Sequence, residues 1–189
     1  MDRSPGSPPE AGIEQEIVDL YEREAGGLLR YATALADNRE TAHDALQETF
    51  FRFFLCRSAG QQIRSPRGWL FRVARNYVFD QKKAGSRNEV GVETLRNVAG
   101  PQLGAASESH VWELLQGLPQ IGLSPREMEC VRLRTEDLSY DEIAGVLGVR
   151  AGTVGALLSR AHDKIRKAVG SGVPKKRDAQ AVGEERYAS

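Results

Sequence analysis

Wherever apolar residues recur along this chain they recur at intervals of three and four, and no stretch of useful length alternates apolar with polar. A stripe repeated at that interval is buried by a helix lying on other helices, so the fold class is all-α. Composition agrees. Of 189 residues 40% are apolar and only 7% aromatic, a balance that suits small helical domains built on Leu, Val, Ala and Ile.

The punctuation between the stripes divides the chain. Residues 1–12, rich in Pro, Gly and Ser, read as a disordered start. Ile13, Ile17, Leu20 and Tyr21 then hold helical spacing, as do Leu28, Leu29, Tyr31, Ala32 and Leu35. Gly26-Gly27 between the two runs predicts a break or bend. Asp37, with Glu40 three residues on, approximates a capping box for a helix striped by Ala42, Ala45, Leu46, Phe50, Phe53 and Phe54. Ser65-Pro66 starts another, expected to bury Trp69 or Leu70, Val73, Ala74 and Tyr77. These segments make a first domain over residues 13–84. Residues 85–107, with many Gly, Ala, Ser and Asn and no period, are expected to be a flexible linker. A second helical domain covers residues 108–169, with capping boxes at Ser124/Glu127, where Pro125 follows the cap, and at Ser139/Glu142. Residues 170–189 turn polar and read as a disordered tail. There is no internal repeat.

Acids and bases cancel at 26 each, so only their distribution is informative. Residues 10–24 carry six acids against Arg23, residues 63–87 seven bases against Asp80, and residues 150–177 eight bases against Asp163. An acidic front suggests a protein partner, and two basic stretches suggest a polyanion. Cys56 and Cys130 lie far apart in helix-like surroundings, which favours buried free thiols over a disulfide, and His43, His110 and His162 share no ligand spacing with them. No metal site, cofactor site, nucleophile–base pair or Gly-rich phosphate loop is legible, so an enzyme is disfavoured. No signal peptide and no apolar run near 18 residues appear, which predicts a cytoplasmic protein with no membrane insertion.

Residues 140–159 fit a helix-turn-helix. Ala144 is the small residue where two helices cross, Gly148 tolerates the turn, and Ile143, Leu147, Val149, Val154 and Leu158 supply the apolar interior. An ordinary helical hairpin uses a similar pattern. Arg150, Arg160, Lys164, Arg166 and Lys167 weigh toward DNA, because phosphate contacts supply most affinity, although a solvated face would look alike. In the first domain, Asp44, Gln47, Glu48 and Phe51 lie opposite the apolar stripe, where a partner surface and a solvated one are both open. Trp69, Phe71, Tyr77 and Phe79 interleave with Arg64, Arg67, Arg72, Arg75, Lys82 and Lys83, the ingredients of single-strand binding. The competing reading puts the aromatics in the core, above all Trp69 and Tyr77, with Phe71 and Phe79 the less certain pair.

The stretches "LYEREAGGLLRYATALADNRETAHDALQETFFRFF", "SPRGWLFRVARN" and "LSYDEIAGVLGVRAGTVGALLSRA" resemble, in order, the extracytoplasmic-function sigma factors of bacterial RNA polymerase, members of the sigma-70 superfamily. The resemblance implies two small helical domains joined by a flexible linker, the second containing a helix-turn-helix, in a transcription initiation factor without catalysis. It implies that Asp44, Gln47 and Glu48, a D-x-x-Q-E pattern, meet the clamp helices of the polymerase beta-prime subunit, with Phe51 beside them. Arg67, Trp69, Arg72, Arg75, Asn76, Lys82 and Lys83 would then hold the melted −10 element. The helix-turn-helix, through Arg150, Thr153, Gly155, Ala156, Ser159, Arg160 and Lys164, would dock on the −35 element and near the beta flap. An anti-sigma factor is a further partner such a protein could have.

Two departures from the family pattern stand out. Gly155, Ala156 and Leu157 replace the Lys-Ser-Arg that usually follows Gly-Thr-Val at positions facing the groove or its phosphates, and residues 118–127 look longer than the usual connection. Gly152 and Gly155 each weaken the helix by ~1 kcal/mol relative to Ala. A sigma-like protein that binds polymerase or an anti-sigma factor with little −35 readout is therefore the first alternative. A DNA-binding response regulator, the second, would need an α/β receiver domain that the apolar pattern does not offer.

Overall fold

A computed structural model of the protein describes residues 10–88 and 121–171. All six elements among the described residues are α-helices. Three form a first unit: α1 (Glu10–Leu35), α2 (Arg39–Ser58) and α3 (Pro66–Asn88). Three form a second: α4 (Pro125–Thr135), α5 (Tyr140–Leu147) and α6 (Ala151–Ser171). Helix α1 begins inside the stretch read as a disordered start, α3 runs into the first residues assigned to the linker, and α6 enters the assigned tail. The remainder of those three segments lies outside the described residues.

Gly26-Gly27 does not break α1, which is continuous over 26 residues. The helix keeps its register because Leu20, Leu28, Tyr31 and Ala32 are buried on one face. Gly27 has a different use. A Cβ there would stand 2.6 Å from a carboxylate oxygen of Glu136, so the missing side chain makes room for a residue of the second unit. The cap of α2 is Asn38, whose side chain accepts from Thr41 N at 2.7 Å, and Asp37 instead pairs with Lys82 at 2.8 Å. Helix α2 buries Ala42, Ala45, Leu46, Thr49, Phe50 and Phe53, whereas Phe54, expected in that stripe, turns outward and is 40% exposed. Helix α3 buries Leu70, Phe71, Ala74 and Val78; Trp69, Val73 and Tyr77 are only half-buried. Phe71 packs on Tyr31 with ring centroids 5.4 Å apart, so it belongs to the core more fully than Trp69.

Both capping boxes of the second unit form, at Ser124/Glu127 with Pro125 in the first turn and at Ser139/Glu142. Gly148 closes α5 in the left-handed region, φ 65°, and its N–H donates to Ala144 O. The chain then turns into α6, which completes the helix-turn-helix. Inside it Ile143, Ala144, Val146, Val154, Leu157 and Ala161 are buried, and Leu158 is half-buried. Leu157, expected at the groove, is thus a core residue.

One apolar cluster runs through both units. Leu20, Leu28, Tyr31, Phe71 and Ala74 of the first join Cys130, Leu133, Leu138, Ile143 and Leu157 of the second. Both thiols are free, Cys130 fully buried and Cys56 half-buried. Burial pushes the Cys130 thiol up to about 11, with the neighbouring Glu129 adding to the rise. No single helix among the described residues is long and apolar enough to cross a membrane.

The two kinds of glycine in the helix-turn-helix respond oppositely to a methyl group. Gly148→Ala forces a Cβ into left-handed backbone and should lower stability by about 1 kcal/mol. Gly152→Ala meets open space within α6 and should raise it by up to about 1 kcal/mol. Urea unfolding followed by circular dichroism checks both signs.

Candidate nucleic-acid interface

Helix α3 is amphipathic in an unusual way, because its second face is cationic. Arg72 and Asn76 lie exposed one turn apart. Arg75 sits over the ring of Phe79, 4.6 Å from its centroid, and leaves Phe79 half-buried. Trp69 meets Phe53 edge-on at 5.7 Å. Further along, Lys82 is engaged with Asp37, and exposed Lys83 lies 3.9 Å from Asp80. The loop ahead of α3 and the start of that helix line one wall of a cleft of about 860 Å³, with Arg64, Trp69 and Arg72 among the lining residues. Ser139, Asp141, Glu142 and Gly145 of the second unit line the other wall.

The second unit reaches across this face with carboxylates. Glu129 of α4 is buried, and its Oε1 accepts from Arg75 Nε at 2.6 Å and from the Tyr31 hydroxyl at 2.9 Å. Its Oε2 takes the second arm of the Arg75 fork at 3.3 Å. Burial opposes the charge of Arg75, but Glu129 outweighs it and holds the guanidinium protonated above its ordinary range. Burial, reinforced by Glu129, pushes the Tyr31 hydroxyl well above its usual value, so it remains a donor. Glu136 receives a bidentate pair from Arg30 at 3.0 and 2.7 Å, and its backbone carbonyl accepts from Arg67. Arg67 Nε lies 2.9 Å from Glu24 without its N–H aimed at the oxygen, so that contact is electrostatic. Glu142 accepts from the Ser65 hydroxyl at 2.9 Å, and a Cβ on Gly68 would come within 3.2 Å of its side chain. Burial raises the Glu142 carboxyl, but the Ser139 cap and Ser65 outweigh it and leave it below the usual carboxylate value.

On the far side of the first unit, Asp44 and Gln47 are exposed, and Glu48 is held by Arg52 one turn on at 2.7 Å. Phe51 is 56% exposed beside them. Phe54, Leu55, Val18 and Tyr21 are also large, apolar and exposed, and the sequence stripe had hidden Phe54 and Tyr21 among core residues.

Arg150, just ahead of α6, and Gly152, Thr153, Ala156 and Ser159 within it are exposed, so short side chains dominate the outward face. Gly155 is half-covered by the Tyr140 ring. Arg160 and Lys164, expected at phosphates, both turn to Glu127, at 3.3 and 2.7 Å. Lys164, then the Ser124 N–H, lowers the Glu127 carboxyl to about 2. Among the described residues no cluster of His, Cys, Asp or Glu could hold a metal ion.

Sequence reasoning brought Trp69, Arg72, Arg75 and Asn76 to one helix but missed Tyr31, Glu129, Glu136 and Glu142. Gly27, taken for a break, and Gly68, unremarked, mark where Glu136 and Glu142 approach, while Glu142 was read only as part of a capping box and Tyr31 only as part of an apolar stripe.

Two family models match the chain, Sigma-70 region 2 over residues 20–88 and Sigma-70, region 4 over residues 122–165. The ECF RNA polymerase sigma factor SigL of Mycobacterium tuberculosis is 31% identical over 153 residues, which cover 78% of this chain and 83% of that protein. RNA polymerase sigma factor CarQ of Myxococcus xanthus is 27% identical over 84% of this chain and 92% of its own. Among solved structures, CnrH in complex with the cytosolic domain of CnrY shares the fold at a TM-score of 0.57 and 19% identity, covering 86% of this chain and 93% of that one. RpoE of Bartonella quintana, in complex with the anti-sigma factor NepR, does so at 0.56 and 21%, covering 82% and 98%. The chain belongs to the ECF RNA polymerase sigma factors of the sigma-70 family.

Proposed function

We infer that the two helical units divide the work of a sigma factor between them. A sigma factor directs RNA polymerase core to promoters and aids their opening at initiation. The first unit anchors to the beta-prime clamp helices through Asp44, Gln47, Glu48 and Phe51, and holds the melted −10 strand with Arg67, Trp69, Arg72, Arg75 and Asn76, supported by Lys82 and Lys83. The observation that most supports this is α3 itself, where exposed Arg72 and Asn76 flank the Arg75–Phe79 stack beside the cleft. Cationic groups track phosphates there, and an aromatic ring offers a face to an unstacked base. The protein works by binding in the cytoplasm and carries out no chemistry of its own. The exposed apolar groups around Phe51 also suit an anti-sigma factor.

The second unit lies on the upstream duplex through Arg150, Thr153, Ser159 and their neighbours. Its outward face gives reason for a second reading, weak −35 readout. Gly155 and Ala156 cannot hydrogen-bond a base edge, and Arg160 and Lys164 are shared with Glu127.

Glu48→Lys should weaken binding to core polymerase about tenfold or more, ~1.4 kcal/mol. The Glu48–Arg52 pair is exposed, so losing it should alter stability by less than about 0.5 kcal/mol. Retention on immobilised core enzyme, with a melting curve as control, checks this. An unchanged retention removes the assignment.

Transcription in vitro from a promoter library checks the DNA side. Asn76→Ala should re-rank promoters by −10 sequence, while scrambling the −35 element should lower output less than threefold. Identical ranking would remove Asn76 as a reader. A tenfold loss on scrambling would show that α6 reads sequence despite its short side chains.

A further inference from the structure

Gly155, the first position at which the family pattern puts a long cation, is covered by an aromatic ring instead. A Cβ on Gly155 would stand 3.7 Å from Cε2 of Tyr140, in ordinary van der Waals contact. Alanine therefore fits there, whereas a longer chain has to grow past the ring or push it aside. Tyr140 is 47% exposed, and its hydroxyl has no hydrogen-bond partner among the described residues. One part of the ring is thus packed on α6 while its polar end stays open to a ligand. Exposed Ser159 and His162 of α6 and Arg134 of α4 line the same groove of about 470 Å³, so hydroxyl, imidazole and guanidinium donors gather beside the ring. None of the groove's lining residues is acidic. Asp141, the next residue, lines the other cleft.

We propose that Tyr140 grips the backbone of the upstream duplex, its hydroxyl donating to a phosphate, and that Gly155 is the seat on which its ring rests. The inference rests on the reading of the second unit as the part that lies on the upstream duplex, and it names a residue for that contact. In a helix-turn-helix the second helix enters the groove and the first crosses the backbone. Tyr140 opens that first helix, α5, which places it among phosphates and away from base edges. A phosphate is also what the neighbouring groups suit, since Arg134, Ser159 and His162 bring N–H and O–H donors and no carboxylate competes for them. The Tyr140–Gly155 pair thereby exchanges one kind of contact for another. A lysine at position 155 would bring a cation to the groove, whereas a ring on glycine brings a neutral donor to the backbone. That contact adds affinity for any sequence and releases no counterion of its own. Weak −35 readout and firm duplex binding are then compatible in one unit.

The test uses the full chain, labelled duplexes of mixed sequence as probes, and fluorescence anisotropy over a range of salt. Tyr140→Phe keeps the ring on Gly155 and removes only the hydroxyl. It should weaken duplex binding about fivefold, equally for every sequence and with an unchanged salt slope. Its melting temperature should match the wild type, which separates the contact from a role in folding. Arg150→Ala, which removes a cation, should instead lower the salt slope by about one. Gly155→Lys displaces the ring, so adding Tyr140→Phe to it should cost nothing further. The proposal is overturned if Tyr140→Phe binds duplex as the wild type does, if its loss depends on sequence, or if the loss persists in the Gly155→Lys background. It falls as well if Tyr140→Phe keeps its duplex affinity and loses retention on core polymerase, because the groove would then dock a protein on Val131 and Leu158. A different result marks the underlying reading. If Arg150→Ala and Thr153→Ala also leave duplex affinity unchanged, the second unit does not hold the duplex at all, and Tyr140 loses its role with it.

Discussion

A carboxylate buried in an apolar contact needs cationic and hydroxyl donors around it, and the hydrogen bonds that Glu129 accepts come from the opposite unit. Arg75 of α3 and Tyr31 of α1 converge on it, so the helix bearing Glu129 cannot leave without stranding three polar groups. Such a pair adds little net stability compared with apolar packing. It is costly to break on one side only, and it therefore fixes register. Around it the apolar cluster supplies the attraction, while Arg30 on Glu136 and Ser65 on Glu142 set the angle at which the second unit lies. The orientation of α3, with Arg67 and Arg75 bonded to the second unit and Arg72 and Asn76 exposed, follows from that arrangement.

The same geometry explains why this sigma factor tolerates an unusual recognition helix. Leu157 stands where a long polar residue is usual, and in the closed molecule it is buried in the cluster shared by both units. An Arg at that position would meet the shared core instead of solvent. The outward face of α6 keeps only small groups between Arg150 and Arg160, and Glu127 gathers the basic residues beyond them.

Much of the fold was legible because it is local. The two capping boxes of the second unit, Ser65-Pro66 and Gly148 each act within one turn of the chain, and the structure carries these. The failures have physical causes of longer range. Gly26-Gly27 looked like a break because helix propensity is a weak prior, and the packing of Leu28, Tyr31 and Ala32 overrode it. Asp37 and Asn38 both suit a cap, and a lysine far along the chain decided between them. Phe71, the less certain core aromatic in the sequence, is the fully buried one and Trp69 packs on the cluster half-buried, because residues two positions apart lie on different helix faces and only the partner helices determine which face is inner. For the site, residue types on one helix were readable. The glutamates that cover it come from another unit; the spacing of Glu142 marked it only as the partner of the Ser139 cap, and nothing in the spacing of Glu129 and Glu136 marked them.

The most direct measurement is the distance between the units in solution. Nitroxide labels on Cys replacements at exposed Ser58, the end of α2, and exposed Lys167, near the end of α6, would report it by pulsed dipolar spectroscopy, with the two native cysteines replaced. The account predicts one narrow, short distance for the free protein, and a longer one when core polymerase and promoter DNA are added. A broad distribution in the free protein, unchanged by Glu129→Gln, would contradict it.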